Sequence, residues 1–247
     1  MDILSDLLAS LPRNESVREV LVGVHWTVVC TRHCGMASSI QGEKPHGHEK
    51  VRDVGSLHKK TAYQLAEYVY SDVLLEASIG VAAINSLIDP FEGRQGGYQE
   101  INAYDVLVRH GRGKKVALVG HFPFIPNLHS EVGELWVFEQ KPVEGEFSVA
   151  DATKLIPQAD VIALTGSALI NHTLDGLLEL CQPDSTVVVL GPSTPLSPVM
   201  FAHGVTLLSG TLIFDEQAVL RTVAQGANFQ QVQGVRLVTM AKPGFEG

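Results

Sequence analysis

The sequence predicts an α/β protein in two parts, and three observations carry that reading. From Lys114 onward, short and dense apolar runs alternate with helical segments. The runs lack the strict apolar-polar alternation of a half-exposed strand, and most of them end in glycine. Apolar strands joined by helices form a parallel sheet that is covered on both faces. Residues 1–109 follow a different grammar, α+β, with helices and a hairpin signal but no such alternation.

Taken in order, "MDILSDLLASLPRNES" spaces its apolar residues along one helix face. It carries Asp2 and Asp6 where a secretory signal needs positive charge, so it reads as structure. "SVREVLVGVHWTVVCT" is long and β-branched enough for a strand, with "CGMASSI" as its hairpin partner across "TRH". "QGEKPHGHEKVRDVGSLHKK" has little periodicity and several breakers, and reads as a surface loop. "TAYQLAEYVYS", "VLLEASIGVAAINSLI" and "INAYDVLVRHG" are helical patterns, the middle one apolar on most faces and suited to burial between layers. The boundary falls within "RHGRGKK", separating residues 1–109 from 110–247. Beyond it, "KKVALVG", "ELWVFE", "DVIALTG", "STVVVLG", "VTLLSG" and "VRLVTM" are the strands of a doubly wound, Rossmann-like parallel sheet. "SVADATKLI", "HTLDGLLELC", "SPVMFAHG" and "DEQAVLRTVAQG" cover or connect them.

Composition removes several classes. A chain of 247 residues with 45% hydrophobic content buries a substantial core, and a net charge of −9 disfavours nucleic acid or an anionic membrane as partner. No apolar run reaches the roughly 20 residues needed to span a bilayer. A soluble, cytoplasmic protein is expected. Cys30, Cys34 and Cys181 are an odd number in a chain that needs no staples, which points to a reducing compartment.

Ligands of an open parallel sheet bind beyond the carboxyl ends of its strands, so the strand exits are the candidate site. They carry Gly120, His121, Phe122 and Pro123; Glu139; Thr165, Gly166, Ser167, Asn171, His172 and Thr173; Gly191, Pro192, Ser193 and Thr194; and Ser209, Gly210 and Thr211. Each also has a local reading as a cap or turn. The prolines of "GPSTPLSP" fix a rigid backbone, so that Ser193 and Thr194 are held ready for a ligand. Glu139 follows Gly120 by 139 − 120 = 19 residues, near the spacing of a ribose-binding acid. The glycine fingerprint of a dinucleotide site is absent, because "GHFPFI" puts Phe and Pro where close approach to a pyrophosphate needs Gly.

Cys30, His33 and Cys34, with His46 and His48 on the following loop, concentrate soft metal ligands, although not in the paired spacing of a structural zinc site. A buried small thiol and exposed loop histidines are the competing reading. No G-x-S-x-G elbow supports a serine nucleophile, and His172 at a helix start reads as a capping-turn residue. His121, just after the first strand of the sheet, is the better candidate for proton transfer or metal ligation. "HFPFIP" suits a cleft wall and a subunit contact equally, so a homo-oligomer is among the expected partners.

"GHFPFIP", "ALTGSALINHTLDGLLEL", "LGPSTPLSPVMF" and "GVTLLSGT", in this order and spacing, resemble a prokaryotic family described as heavy-metal-chelation proteins. The resemblance extends through "ASIGVAAINSL" and "HWTVVCTRHCGMASS" to nearly the whole chain. It implies an N-terminal domain similar in fold to the capping domain of enolase, a C-terminal Rossmann-like domain, and an active site in the cleft between them. Carried onto this sequence, the cleft takes His121, Phe122, Pro123, Glu139, Thr165, Gly166, Ser167, Asn171, Gly191, Pro192, Ser193, Thr194 and Gly210. Asn85 joins them from the first half, because an amide in an apolar helix needs a partner. The expected ligand is small and polar or anionic, and a heavy-metal ion or metal chelate is the form the resemblance implies. Metal candidates are His121, Cys34 and His33, and the cofactor implied is a divalent or heavy-metal ion. The alternative is an enzyme acting on a nucleotide-like or carboxylated molecule, with His121 and Glu139 as acid and base.

Overall fold

The computed structural model describes residues 2–42, 50–89 and 97–245. Helix α1 (Ile3–Ala9) is capped by the Asp2 side chain, which accepts from the Leu4 N–H, and it buries Ile3, Leu4, Leu7 and Leu8. Strands β1 (Glu19–Val22), β2 (Trp26–Cys30) and β3 (Cys34–Ser38) form an antiparallel sheet in that order. The single strand expected over residues 16–31 is broken. The Gly23 N–H donates to the Trp26 carbonyl at 2.8 Å, so that β1 and β2 make a hairpin of their own. The hairpin expected across "TRH" is present as β2–β3. The sheet is followed by α2 (Ala62–Ala66), with a Thr61–Gln64 capping box, and α3 (Leu74–Leu87). Eleven of the fourteen residues of α3 are buried, as an all-round apolar pattern requires.

The pleat of the small sheet sorts its side chains between two neighbours. Val29 and Ala37 join the core around α3. At Gly35, between them, a methyl group would lie 2.2 Å from the Ser86 nitrogen and 2.3 Å from the Ala82 carbonyl oxygen, so only glycine lets α3 lie on β3. Val28, Cys30 and Met36 point the other way, into a cluster with Val219, Val223, Ala227 and Val232 of the second half.

The second half runs α4 (Ala103–Gly111), β4 (Lys115–Val119), α5 (Ile125–Leu128), β5 (Glu134–Glu139), β6 (Phe147–Ser148), α6 (Val149–Leu155), β7 (Val161–Thr165), α7 (Leu174–Leu178), β8 (Thr186–Leu190), α8 (Val199–Ala202), β9 (Leu207–Ile213), α9 (Glu216–Ala224) and β10 (Val235–Ala241). Its sheet has the order β10-β9-β8-β7-β4-β5-β6. All pairings are parallel except β9–β10. Strand order reverses at β4, whose two neighbours are β5 and β7, and that is the switch point of a Rossmann-like sheet.

"VRLVTM" is therefore an antiparallel edge and not a sixth parallel strand. The cause lies in α9, which packs on β1 and β2 of the first half and so does not supply a crossover over its own sheet. The two-residue β6 is an edge strand that the sequence reading did not include. Helix α4, counted on sequence with residues 1–109, packs Val106 and Leu107 against Val116, Leu118, Ile125 and Leu128 of the sheet.

Helix α1 likewise docks on the second half. It touches α8, and its Ile3 N–H donates to the Asp175 carboxylate at 3.4 Å. Burial raises the pKa of Asp175 above the ordinary carboxylate value, and nearby Asp2 pushes it further, against the Ile3 hydrogen bond. A raised folded-state value means the native protein holds this proton more tightly than the unfolded chain. The group therefore stabilises the fold in acid and becomes a cost as pH rises through its folded-state value. Asp175→Asn is expected to raise the melting temperature at neutral pH by about 2 °C and to flatten its pH dependence just above the ordinary carboxylate range. Thermal melts across pH read both effects.

Candidate functional site: a closed seam at the strand exits

The exits of β7, β8 and β9 are covered by β3 and α3. Ser38, at the end of β3, is the joint: its N–H donates to Ser193 Oγ at 2.9 Å. Its hydroxyl lies 3.1 Å from Ser167 Oγ and accepts from Ser193 Oγ at 3.2 Å. Asn85 of α3 donates from Nδ2 to the Met36 carbonyl at 2.9 Å and to the Ser193 carbonyl at 3.4 Å. The "GPSTP" turn supplies this contact because Gly191 takes a φ of +103° and the Thr194 N–H closes back on the Gly191 carbonyl at 3.0 Å. Gly166 fits against the same turn. A methyl there would fall 2.7 Å from both the nitrogen and Oγ1 of Thr194.

Beside this joint is a small hollow lined by His33, Cys34, Asn85, Tyr98, Thr194 and Thr211, among others, with about 30 Å³ of free space. Among the described residues, the buried side-chain oxygens without a hydrogen-bond partner are Asn85 Oδ1, Thr194 Oγ1 and Thr211 Oγ1. All three line this hollow.

The structure thus brings together Asn85, Gly166, Ser167, Ser193 and Thr194 of the expected site. Gly210 is close by, since a methyl on it would lie 3.2 Å from the Thr194 carbonyl oxygen. Thr165 caps the turn after β7, accepting from the Ser167 N–H at 3.3 Å, and a methyl on Gly120 would meet its Cβ at 3.0 Å. Phe122 stacks on Phe124 with ring centroids 5.3 Å apart and joins the core under α4, which gives "HFPFIP" an internal role; Pro123 and Pro192 flank these turns.

Other expected residues stand elsewhere. His121 is exposed and pairs with Glu146 at 3.2 Å, while Glu139 accepts from the N–H of its own neighbour Gln140. The acid-base couple of His121 and Glu139 is therefore not among the observed pairings. Asn171 accepts from Thr173 in a local turn, and His172 bonds the Val69 carbonyl at 2.6 Å, tying the two halves together. Ser38 was missed on sequence. Its signal was the parity of β3, which puts Cys34, Met36 and Ser38 on the face opposite Gly35 and Ala37.

The cysteines need a larger correction. Cys30 and Cys34, read as unpaired, face each other across the hairpin with Cα atoms 4.1 Å apart and are joined in a disulfide. That leaves Cys181 as the free thiol, which removes the argument from an odd count for a reducing compartment. Burial pushes the Cys181 thiol up to about 11. His33, a second metal candidate, lies 3.7 Å from Asp89. His46 and His48 lie outside the described residues.

Fold and seam define a two-part α/β protein, a Rossmann-like sheet with its strand exits roofed by an α+β unit. Two family models, DUF4213 over residues 4–88 and DUF364 over residues 102–242, match the chain, and both carry the description "Putative heavy-metal chelation". The chain belongs to this family. A crystal structure of a DUF364-family protein of unknown function from Desulfitobacterium hafniense superposes with a TM-score of 0.86 at 28% identity, covering 97% of this chain and 98% of that one. A second, from Pyrococcus horikoshii, gives a TM-score of 0.78 at 19% identity over 97% and 99% of the two chains. An uncharacterised protein of Methanocaldococcus jannaschii is 26% identical over 193 residues, 75% of this chain and 72% of its own. Among the described residues, no helix is long and apolar enough to cross a membrane.

Proposed function

We propose that the protein binds a compact polar ligand in the seam, with Asn85, Thr194 and Thr211 as the recognising side chains. The observation that carries this reading is the convergence of three unpartnered buried oxygens on one hollow. Each such group costs about 1–3 kcal/mol when left unsatisfied. A fold that concentrates this cost in one place gains from it when a ligand with N–H or O–H groups arrives. The free space admits about one or two water-sized groups, so a larger ligand enters only as the seam widens.

The family's description raises the question of a heavy metal. The three oxygens are neutral and hard, whereas heavy metals favour thiolate and imidazole, so this set does not fit an uncoordinated heavy-metal ion. A metal already wrapped in a chelator presents polar groups instead, and these suit the same oxygens.

The test is a thermal-shift screen of small polar compounds, including nucleotides, pterins, carboxylates and metal chelates, on the native protein, Asn85→Ala and Thr194→Val. A stabilising compound should bind each variant about 10-fold more weakly, the worth of one hydrogen bond. Thr194→Val replaces an unpartnered hydroxyl by a methyl of the same shape. Without ligand it should melt about 2–4 °C higher than the native protein, a gain of about 1 kcal/mol. A compound that stabilises all three proteins equally would place its site elsewhere and overturn the assignment.

A further inference from the structure

One group of metal-ligating atoms stands apart from the three seam oxygens. Cys30 Sγ, Cys34 Sγ and a carboxylate oxygen of Glu216 all lie within 4.8 Å of one another. The cysteines come from opposite strands of the β2–β3 hairpin, and Glu216 comes from the first turn of α9 in the other half. Arg18 fixes the carboxylate with two bonds, from Nη1 at 2.9 Å and Nη2 at 2.6 Å. The same arginine donates from Nε to the Thr31 carbonyl, within the turn that joins the two cysteines. Hairpin, arginine and carboxylate are thus locked as one unit. The arginine accounts for where the carboxylate sits, and a dithiol beside that fixed carboxylate is a ligand set for a thiophilic cation.

We propose that Cys30, Cys34 and Glu216 form a redox-gated site for a thiophilic divalent cation of the zinc and cadmium class. With the disulfide closed, neither sulfur is available as a thiolate. A dithiol reductant opens it by exchange: the reductant's two sulfurs join in a new disulfide, and its two electrons and two protons pass to Cys30 and Cys34. The cation then displaces both thiol protons to solvent and forms two metal–sulfur bonds, with Glu216 as the third ligand and a fourth position left for water. Tetrahedral coordination with metal–sulfur bonds of about 2.3 Å sets the sulfurs about 3.8 Å apart. Bonded to each other, the sulfurs are closer than this, so the cation is held only once the disulfide is open. Cys34 is the half-buried member through which the cation enters, and Cys30 is fully buried. Cys34 also lines the seam hollow, but the site uses none of the three seam oxygens, and sulfur ligation is read apart from binding by them.

The experiment uses the full chain stripped of metal and cadmium as probe, with the protein either oxidised or reduced by a phosphine that is then removed. Equilibrium dialysis gives the stoichiometry, and the ultraviolet thiolate-to-cadmium charge-transfer band reports sulfur ligation. Reduced protein should take up one cadmium per chain with the band, and oxidised protein should show no band. A Cys181→Ser background should behave as the native chain, which removes the remaining thiol from the reading. Reduced Cys34→Ser should bind about 100-fold more weakly, and Glu216→Gln should keep the band with about 10-fold weaker binding. Comparing two redox states of one unmutated protein keeps the test valid even where a variant folds poorly. A reduced native protein without the band, equal uptake by oxidised protein, or full binding by Cys34→Ser would overturn the proposal.

Discussion

Gly35→Ala is expected to destabilise the protein by about 3 kcal/mol or more, because overpacking here meets backbone and not the flexible end of a side chain. The added methyl would lie 2.2 Å from the Ser86 nitrogen, 2.3 Å from the Ala82 carbonyl oxygen and 2.5 Å from the Asn85 carbonyl carbon. Either β3 or α3 has to move. For a chain of this size the melting temperature should fall by about 10 °C, read by circular dichroism. A second consequence separates this from generic damage. Lifting α3 carries Asn85 away from Met36 and Ser193, so the molecules that still fold should also bind the ligand proposed for the seam more weakly. An unchanged melting temperature would mean that α3 and β3 are not in the contact described.

Gly166→Ala should cost less stability and more binding. Its methyl would lie 2.7 Å from the Thr194 nitrogen and Oγ1 and 2.9 Å from the Ser193 carbonyl carbon. Gly166 does not have a positive φ, so the whole cost is crowding. About 2 kcal/mol is expected, because contacts of 2.7 Å are less severe than the 2.2 Å met at Gly35. Displacing that turn moves Ser193 off Ser38 and Thr194 out of the hollow together. Seam binding should fall by about 100-fold, the worth of two hydrogen bonds, while far-ultraviolet dichroism stays native. Retained binding with a native spectrum would dissociate the turn from the site.

The division into a Rossmann-like sheet and an α+β unit was legible because its signal is local. "VALV", "VIAL" and "VVVL" are too apolar for anything but strands covered on both faces, and an all-round apolar "ASIGVAAIN" has to be buried. The direction of β10 was not legible. It depends on where α9 packs, a long-range choice that leaves no mark on "VRLVTM" itself. The break at Gly23 was visible as a glycine between two β-branched runs but was outweighed by the length of the apolar stretch.

For the site, the hydroxyls of "TGS" and "GPST" stood out as a set, five strand exits in a row carrying small or polar residues, although each one singly also reads as a cap or turn. Glu139 was placed by its spacing from Gly120 and His121 by its position just after the first strand of the sheet, and neither says which way a side chain turns. Ser38 lay in the half of the chain where no rule about strand exits applies. The Cys30–Cys34 bond was within reach of the hairpin expected across "TRH", because residues flanking such a turn face each other.

The way α1 and α9 are exchanged has a bearing on how the molecule holds together. Each half lends a helix to the other: α1 seals the layer of α8, and α9 seals the outer face of β1 and β2. Neither half can be cut away without stripping apolar cover from its neighbour, so the polypeptide behaves as a pair of clasped hands, gaining its solidity from the clasp and not from two separate grips.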